Sequence, residues 1–193
     1  MVKEGVGDVS FWFPMVMTGL LLQRGAELLL ARKHTRWIRS QGGVEVGRGH
    51  YPLLVGIHLL FFISLAWEVI GIGTEPPAWW PIPFFLFLAA QGLRIWSIHS
   101  LGPYWNTRIW VVPGHPRVVR GPYKYLSHPN YVVVVTELLV LPLLFGAYVT
   151  AITLSVLNLL VLLKIRIPLE EKALTEAAAE GNGSGTDRDF GGD

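Results

Sequence analysis

Cysteine is absent from all 193 residues. A disulfide framework, a zinc–thiolate centre and a cysteine nucleophile are therefore excluded. Charged side chains are sparse, at 16% of residues, and the net charge of +2 hides an uneven distribution along the chain. A basic n-region is also missing. Met1 to Ser10 carries only Lys3, so the apolar run from Phe11 to Leu30 is not read as a cleaved signal peptide. There is no internal repeat, and no group of His, Asp and Glu has metal-ligand spacing, so no metal is expected.

Apolar residues are abundant, at 51% of the chain. They fall into blocks of roughly 17–22 residues, the length a helix needs to cross about 30 Å of hydrocarbon. Five spans are read: Phe11 to Ala31, Pro52 to Ile72, Trp79 to His99, Asn130 to Phe145, and Val149 to Leu163. The first is interrupted by Gln23, Arg24 and Glu27. The fourth and fifth are separated only by Gly146, Ala147 and Tyr148, too short a link for a folded loop, and read as a hairpin. The fold expected is an all-α polytopic membrane protein of about five transmembrane helices. Residues 1–176 form one domain with a motif-bearing core at 91–174. Residues 177–193 read as a disordered polar tail, because a Gly-, Ser- and Asp-rich segment cannot bury apolar surface.

Basic residues set the orientation. Arg32, Lys33, Arg36, Arg39 and Arg48 lie between spans one and two, and Arg108, Arg117, Arg120 and Lys124 between spans three and four. Lys164, Arg166 and Lys172 follow span five, while the opposite side carries only Lys3. The N-terminus is placed outside and the C-terminus in the cytoplasm. Trp79, Trp80, Trp105 and Trp110 are expected at the interfaces.

Ionisable residues within spans are costly and face partners in the bundle. Arg94 and Glu137 each lie about seven residues from the cytoplasmic ends of their spans, hence roughly 10 Å deep at 1.5 Å per residue. They are placed to pair. Arg24 and Glu27 are placed to pair along one helix. Glu68 reads as snorkelling at the outer end of span two, and His58 as a bundle-packing residue. For Glu137, two readings stay open: a structural ion pair, or one wall of a substrate or cofactor cavity.

Two segments carry chemistry: His115 to Tyr131 (HPRVVRGPYKYLSHPNY) and Arg166 to Leu174 (RIPLEEKAL). Both flank the hairpin on its cytoplasmic side, so the hairpin brings them together although about 35 residues separate them. His128-Pro129 ends one segment and starts a helix whose first N–H groups are free to take a carboxylate. Tyr123, Tyr125 and Tyr131 offer faces for an adenine or hydroxyls for a ribose. Arg166 and Glu170 are four apart and share a helix face if the helix continues past Pro168. A glutamate there can accept from a ribose or an amino group, and an arginine there can hold a carboxylate in bidentate fashion. Read alone, RIPLEEKAL is also the ordinary charged end of a membrane helix.

Together these segments resemble the C-terminal signature of the isoprenylcysteine carboxyl methyltransferase family, and GLRIWSIHSLGPYW (Gly92 to Trp105) resembles the stretch before it. The resemblance covers roughly Gln91 to Leu174. It implies a polytopic enzyme that binds S-adenosylmethionine from the cytosol, in a pocket formed by the loop before span four and the segment after span five, and takes a lipidic acceptor from the bilayer. Cofactor contacts carry over to His115, Pro116, Arg117, Val118 and Tyr123, to His128, Pro129, Asn130 and Tyr131, and to Glu170. Arg166 carries over as the residue facing the acceptor. Arg166, Glu171 and Glu137 are the catalytic candidates, with Glu137, Glu171 and His128 as possible bases for a phenolic acceptor. Ser127 stands where the family has arginine, and the polar tail replaces an aromatic segment. The resemblance is strongest to bacterial members, some of which methylate long-chain phenolic or enolic lipids. The expected location is the bacterial plasma membrane. The partners are the bilayer and an acceptor lipid, with no nucleic acid. A membrane reductase of the sterol-reductase type, binding a nicotinamide dinucleotide, and a small non-enzymatic membrane protein are the rival readings.

Overall fold

In the computed structural model, residues 9–183 are described. Most of them are helical: α1 (Val9–Ser40), α2 (Tyr51–Ala66), α3 (Pro81–Leu101), α4 (Pro129–Leu144), α5 (Tyr148–Val161) and α6 (Ile167–Gly183). Two three-residue strands, β1 (Val44–Val46) and β2 (Ile109–Val111), pair antiparallel with Glu45 opposite Trp110. The sheet was not foreseen, because three residues are too few to show an alternating pattern.

Among the described residues, three helical stretches are long and apolar enough to cross a membrane: Arg48–Ile72, Pro81–Tyr104 and Tyr148–Ala179. α4 is apolar but has only 16 residues, about 24 Å of helix. α1 has 32 residues and reaches Ser40, well past the end read at Ala31. Its extension is held by the connection after α3: Asn106 Nδ2 donates to the Ala31 carbonyl at 3.1 Å and to Thr35 Oγ1 at 2.8 Å. His34 Nδ1 meets the Trp105 carbonyl at 2.7 Å, and the Trp105 side chain is buried there.

The apolar pattern is that of a bundle surrounded by lipid. Phe61, Leu65, Leu138, Leu141 and Leu154 pack inside, while Leu22, Ile63, Ile70, Phe85, Ile95 and Ile152 face outward, exposed. An outer face this apolar is unfavourable in water and natural in a bilayer. The protein is an integral membrane protein.

At the hairpin tip, Gly146 has φ +72°, and a Cβ there would clash with the Glu75 carbonyl oxygen, so only glycine closes the turn. Glu68, expected to snorkel, is instead buried, and its carboxylate accepts the Val149 and Thr150 N–H groups at 3.1 and 2.8 Å. It caps the start of α5, where negative charge is favoured by the helix dipole.

α5 leads through a π-helical turn, Leu162–Arg166, into α6. Pro168 follows at once; its missing N–H breaks the regular helical ladder and leaves a widened turn as the way on. α6 folds over the sheet, where Ala173 and Ala177 pack on Ile109 and Val111, and the Gly114 N–H donates to the Ala177 carbonyl at 3.1 Å. The tail expected to be disordered from Ala177 is therefore helical to Gly183. Alanines at 177–179 favour helix, and Ala177 has apolar surface to bury. The remainder of that tail, 184–193, lies outside the described residues.

Candidate functional site

Three helices meet in a buried network of charge. Arg24 on α1 donates to Glu27 at 2.6 Å and to both oxygens of Glu137 on α4, at 3.0 and 2.9 Å. Arg94 on α3 donates to both Glu27 oxygens, at 3.3 and 3.2 Å, and to Glu137. Gln91 also donates to Glu137, and Gln23 bridges Glu27 and Gln91. Two cations balance two anions, so the group carries no uncompensated charge at membrane depth. The Arg94–Glu137 pairing read from the sequence is present, but Arg24 joins it from α1.

The two motif segments also meet. Tyr131, one turn into α4, donates its hydroxyl to Glu170 Oε2 on α6, and Arg166 Nε donates to the same hydroxyl at 3.0 Å. Arg166 and Glu170 thus share a face across Pro168, as the four-residue spacing requires. His128 stacks on Tyr131 with ring centroids 5.1 Å apart. Its Nε2 meets Glu171 at 2.7 Å, and Arg117 donates to the same Glu171 oxygen at 2.7 Å. Asn130 Nδ2 donates to the Tyr123 hydroxyl at 3.0 Å. Burial, and then the Glu170 carboxylate, push the Tyr123 phenol above its usual range. It stays protonated and keeps its hydrogen to donate.

A cavity of about 580 Å³ joins these parts. Its polar end is lined by His115, Pro116, Arg117, Val118, Tyr123, His128, Asn130, Tyr131, Arg166 and Glu170. From there it runs between α1 and α2 past Leu21, Leu28, Leu54, Val55, Leu59 and Phe62. Arg24, Glu27 and Arg94 show their edges to it, and His58 lines it as well, with Nδ1 bonded to the Leu54 carbonyl at 2.8 Å.

Four of the singled-out residues lie off the wall, among them Tyr125, whose ring is exposed. Pro129 is buried in the first turn of α4, where it sets the helix start without touching the cavity. Glu171 sits at the rim, tying the loop through Arg117 to α6. Glu137 does not line this cavity: its oxygens are taken up by Arg24, Arg94 and Gln91, and it borders a second, small cavity with Arg24, His58 and Phe62.

The model of the isoprenylcysteine carboxyl methyltransferase family matches residues 82–176. Over 166 residues the chain is 45% identical to the uncharacterized protein YpbQ of Bacillus subtilis (strain 168), covering 86% of this chain and 97% of that one. The chain belongs to the isoprenylcysteine carboxyl methyltransferase family. An uncharacterized protein of Haemophilus influenzae (strain ATCC 51907 / DSM 11121 / KW20 / Rd) is 26% identical over 157 residues, 81% of this chain and 91% of its own. No solved structure matches.

The region matched by the family model runs from α3 into α6 and so contains both motif segments. α1 and α2, which supply the apolar half of the cavity, lie outside it. Sequence reasoning also missed His50, Tyr51, Tyr104 and Thr107. Tyr51, Tyr104 and Thr107 line the cavity, and His50 lies against Arg166, with Nε2 3.2 Å from its Nη1. None carries a local signal: each reaches the site through a partner distant in sequence.

Proposed function

We propose that this protein is an S-adenosylmethionine-dependent O-methyltransferase acting on a lipidic acceptor at the cytoplasmic face of the membrane. The observation that carries the reading is the single cavity, polar at the motif end and apolar between α1 and α2. A water-soluble cofactor and a membrane lipid need such a two-ended space to meet.

The residues present suit the cofactor. No side chain caps the start of α4; Pro129 has no N–H and the Tyr131 N–H donates to the His128 carbonyl at 3.0 Å, which leaves the Asn130 N–H for a carboxylate. Glu170 accepts one hydrogen bond, on Oε2, and its other oxygen is open to a ribose hydroxyl or an ammonium. The acidic pair Glu170 and Glu171 favours a cationic sulfonium nearby. His115, Pro116, Arg117 and Val118 form one side wall, and Tyr123 presents a ring and a hydroxyl. When bound, S-adenosylmethionine would supply an electrophilic methyl group for transfer to the acceptor oxygen, with the neutral thioether S-adenosylhomocysteine as the leaving group.

Arg166 orients the acceptor. A guanidinium has five N–H donors; three are used by Tyr131, His50 and Thr107, which leaves two for the acceptor's polar head. Holding the oxygen in line with the methyl group is the main task, since misplacement is costly. An ionised carboxylate of the isoprenylcysteine type needs only this orientation and exclusion of water. A long-chain phenol or alkylpyrone hydroxyl, with a pKa near 10 like that of tyrosine, also gives up a proton, and the His128–Glu171 pair at the rim is the base placed to receive it.

The reading includes five membrane crossings with the N-terminus outside and the C-terminus cytoplasmic, supported by the basic loops. Reporter fusions after Thr74 and after Leu174 should report opposite sides of the membrane. The deciding experiment is calorimetry on the purified protein in detergent. It should bind S-adenosylhomocysteine and not a nicotinamide dinucleotide; the reverse preference would overturn the proposal.

A further inference from the structure

We propose that His50 is a positioning residue for Arg166, with Gly47 shaping the space that aims it. This rests on the methyltransferase reading above, in which Arg166 orients the acceptor.

Each nitrogen of the Arg166 side chain has a partner. Nε donates to the Tyr131 hydroxyl at 3.0 Å, Nη2 to the Thr107 carbonyl at 2.9 Å, and Nη1 lies 3.2 Å from His50 Nε2. A guanidinium can only donate. His50 Nε2 must therefore offer its lone pair, which puts the imidazole proton on Nδ1. The three partners come from α4, from the connection before β2, and from the turn before α2. Together they fix both the plane and the rotation of the fork. Arg166 and Thr107 line the cavity while His50 does not, so the imidazole braces the arginine from behind.

The turn that presents His50 is built for this. Gly47 has φ +68°, a left-handed conformation that L side chains rarely adopt. A Cβ there would clash with the imidazole Cε1 and come within 2.7 Å of Nδ1. Only a bare backbone lets the ring fold back toward Arg166. The turn itself is anchored on both sides of Glu45, which accepts from Arg48 at 3.0 Å and from Arg108 at 2.7 Å. Arg108 in turn lies over the Tyr51 ring, 4.2 Å from its centroid. The rigid turn, the missing side chain and the direct contact are separate observations that converge on one imidazole nitrogen.

His50 and Gly47 fall outside the segment the family model matches. The role therefore links the entry of α2 to the reacting centre that α4 and α6 build.

The test uses the full chain in detergent. Wild type, His50→Leu, His50→Gln and Gly47→Ala are compared for S-adenosylhomocysteine affinity and for kcat and KM. The methyl donor is labelled S-adenosylmethionine, and the acceptor is a farnesylcysteine or a long-chain alkylresorcinol, whichever the wild type methylates. His50→Leu should lower kcat tenfold or more with cofactor affinity unchanged within about twofold. His50→Gln, whose side-chain oxygen can accept from Nη1, should recover most of the loss. Gly47→Ala should behave like a partial His50→Leu. Independently of turnover, 15N spectra of histidine-labelled protein, with His50 assigned by its loss in His50→Gln, should show an unprotonated Nε2. Wild-type kcat in His50→Leu, a glutamine variant no better than leucine, or a protonated Nε2 would each overturn the role while leaving the methyltransferase reading intact. A wild type that methylates neither acceptor and does not bind S-adenosylhomocysteine would overturn that reading, and the positioning role with it.

Discussion

Two clusters in this protein use the same side chains, arginine and glutamate, to opposite ends. In the network of Arg24, Glu27, Arg94 and Glu137, both carboxylates are held at each oxygen by cations from other turns or other helices. No carboxylate oxygen is left unpaired; the Arg94 Nε is the buried donor there without a partner. In the cluster of Arg166, Glu170, Glu171 and His128, Glu170 accepts one bond and Arg166 keeps donors to spare. The difference teaches that charge at membrane depth is not by itself a functional signal. What marks a working group is hydrogen-bonding capacity left unsatisfied beside open space. The closed network has a structural consequence instead: it joins α1 to α3 and α4, beside the apolar packing of Phe13 and Leu20 into the core.

The comparison can be broken by substitution, and the closed cluster should give the largest effect. Glu137→Ala leaves Arg24 and Arg94 with Glu27 as their one shared anion, so one buried positive charge is uncompensated. Removing one partner of a buried pair costs about 3–5 kcal/mol, so the thermal unfolding midpoint in detergent should fall sharply. A Glu137→Ala variant of wild-type stability would mean that the network does not hold the bundle. In the open cluster the effect should fall on binding rather than on folding. Glu170→Ala removes a charged acceptor from a partly desolvated site, worth roughly 1.5–3 kcal/mol. S-adenosylhomocysteine affinity should drop about ten- to a hundredfold by calorimetry, with the unfolding midpoint little changed. Unaltered affinity would remove Glu170 from the cofactor site.

The smallest change in free energy sharpens the comparison most. Arg166→Lys keeps the charge but loses the planar fork that meets Tyr131, Thr107 and His50 together. Cofactor affinity should stay nearly intact while turnover falls by about an order of magnitude, equivalent to about 1.4 kcal/mol. If lysine substitutes freely, Arg166 is only an interfacial anchor.

Much of this architecture was legible in the sequence. The hairpin was readable because an apolar run with a three-residue break at Gly146 to Tyr148 has no other way to turn. The meeting of HPNY with RIPLEEKAL followed from that hairpin, since both flanks of a turn that crosses and returns must lie on one side. Other features were hidden because their causes are not local. Glu68 reads as a snorkelling acid until α5 is seen to begin above it. Glu137 and Glu170 look equally functional in a linear chain. β1 and β2 are three residues each and exist through each other and through α6. The continuation of α1 to Ser40 depends on Asn106, some 71 residues beyond Thr35.

Sequence alone determined that this chain belongs in a bilayer, which segments flank its last hairpin, and that those segments resemble the signature of the isoprenylcysteine carboxyl methyltransferase family. These are properties of composition and order, and they survive any detail of packing. Tertiary structure alone decided which glutamate is closed off and which is left open, and that a histidine at the start of α2 reaches the arginine at the end of α5. The physical reason is that a side chain's role is set by what satisfies it. For Glu137, Glu68, Arg166 and His50, that partner lies on another element of the fold.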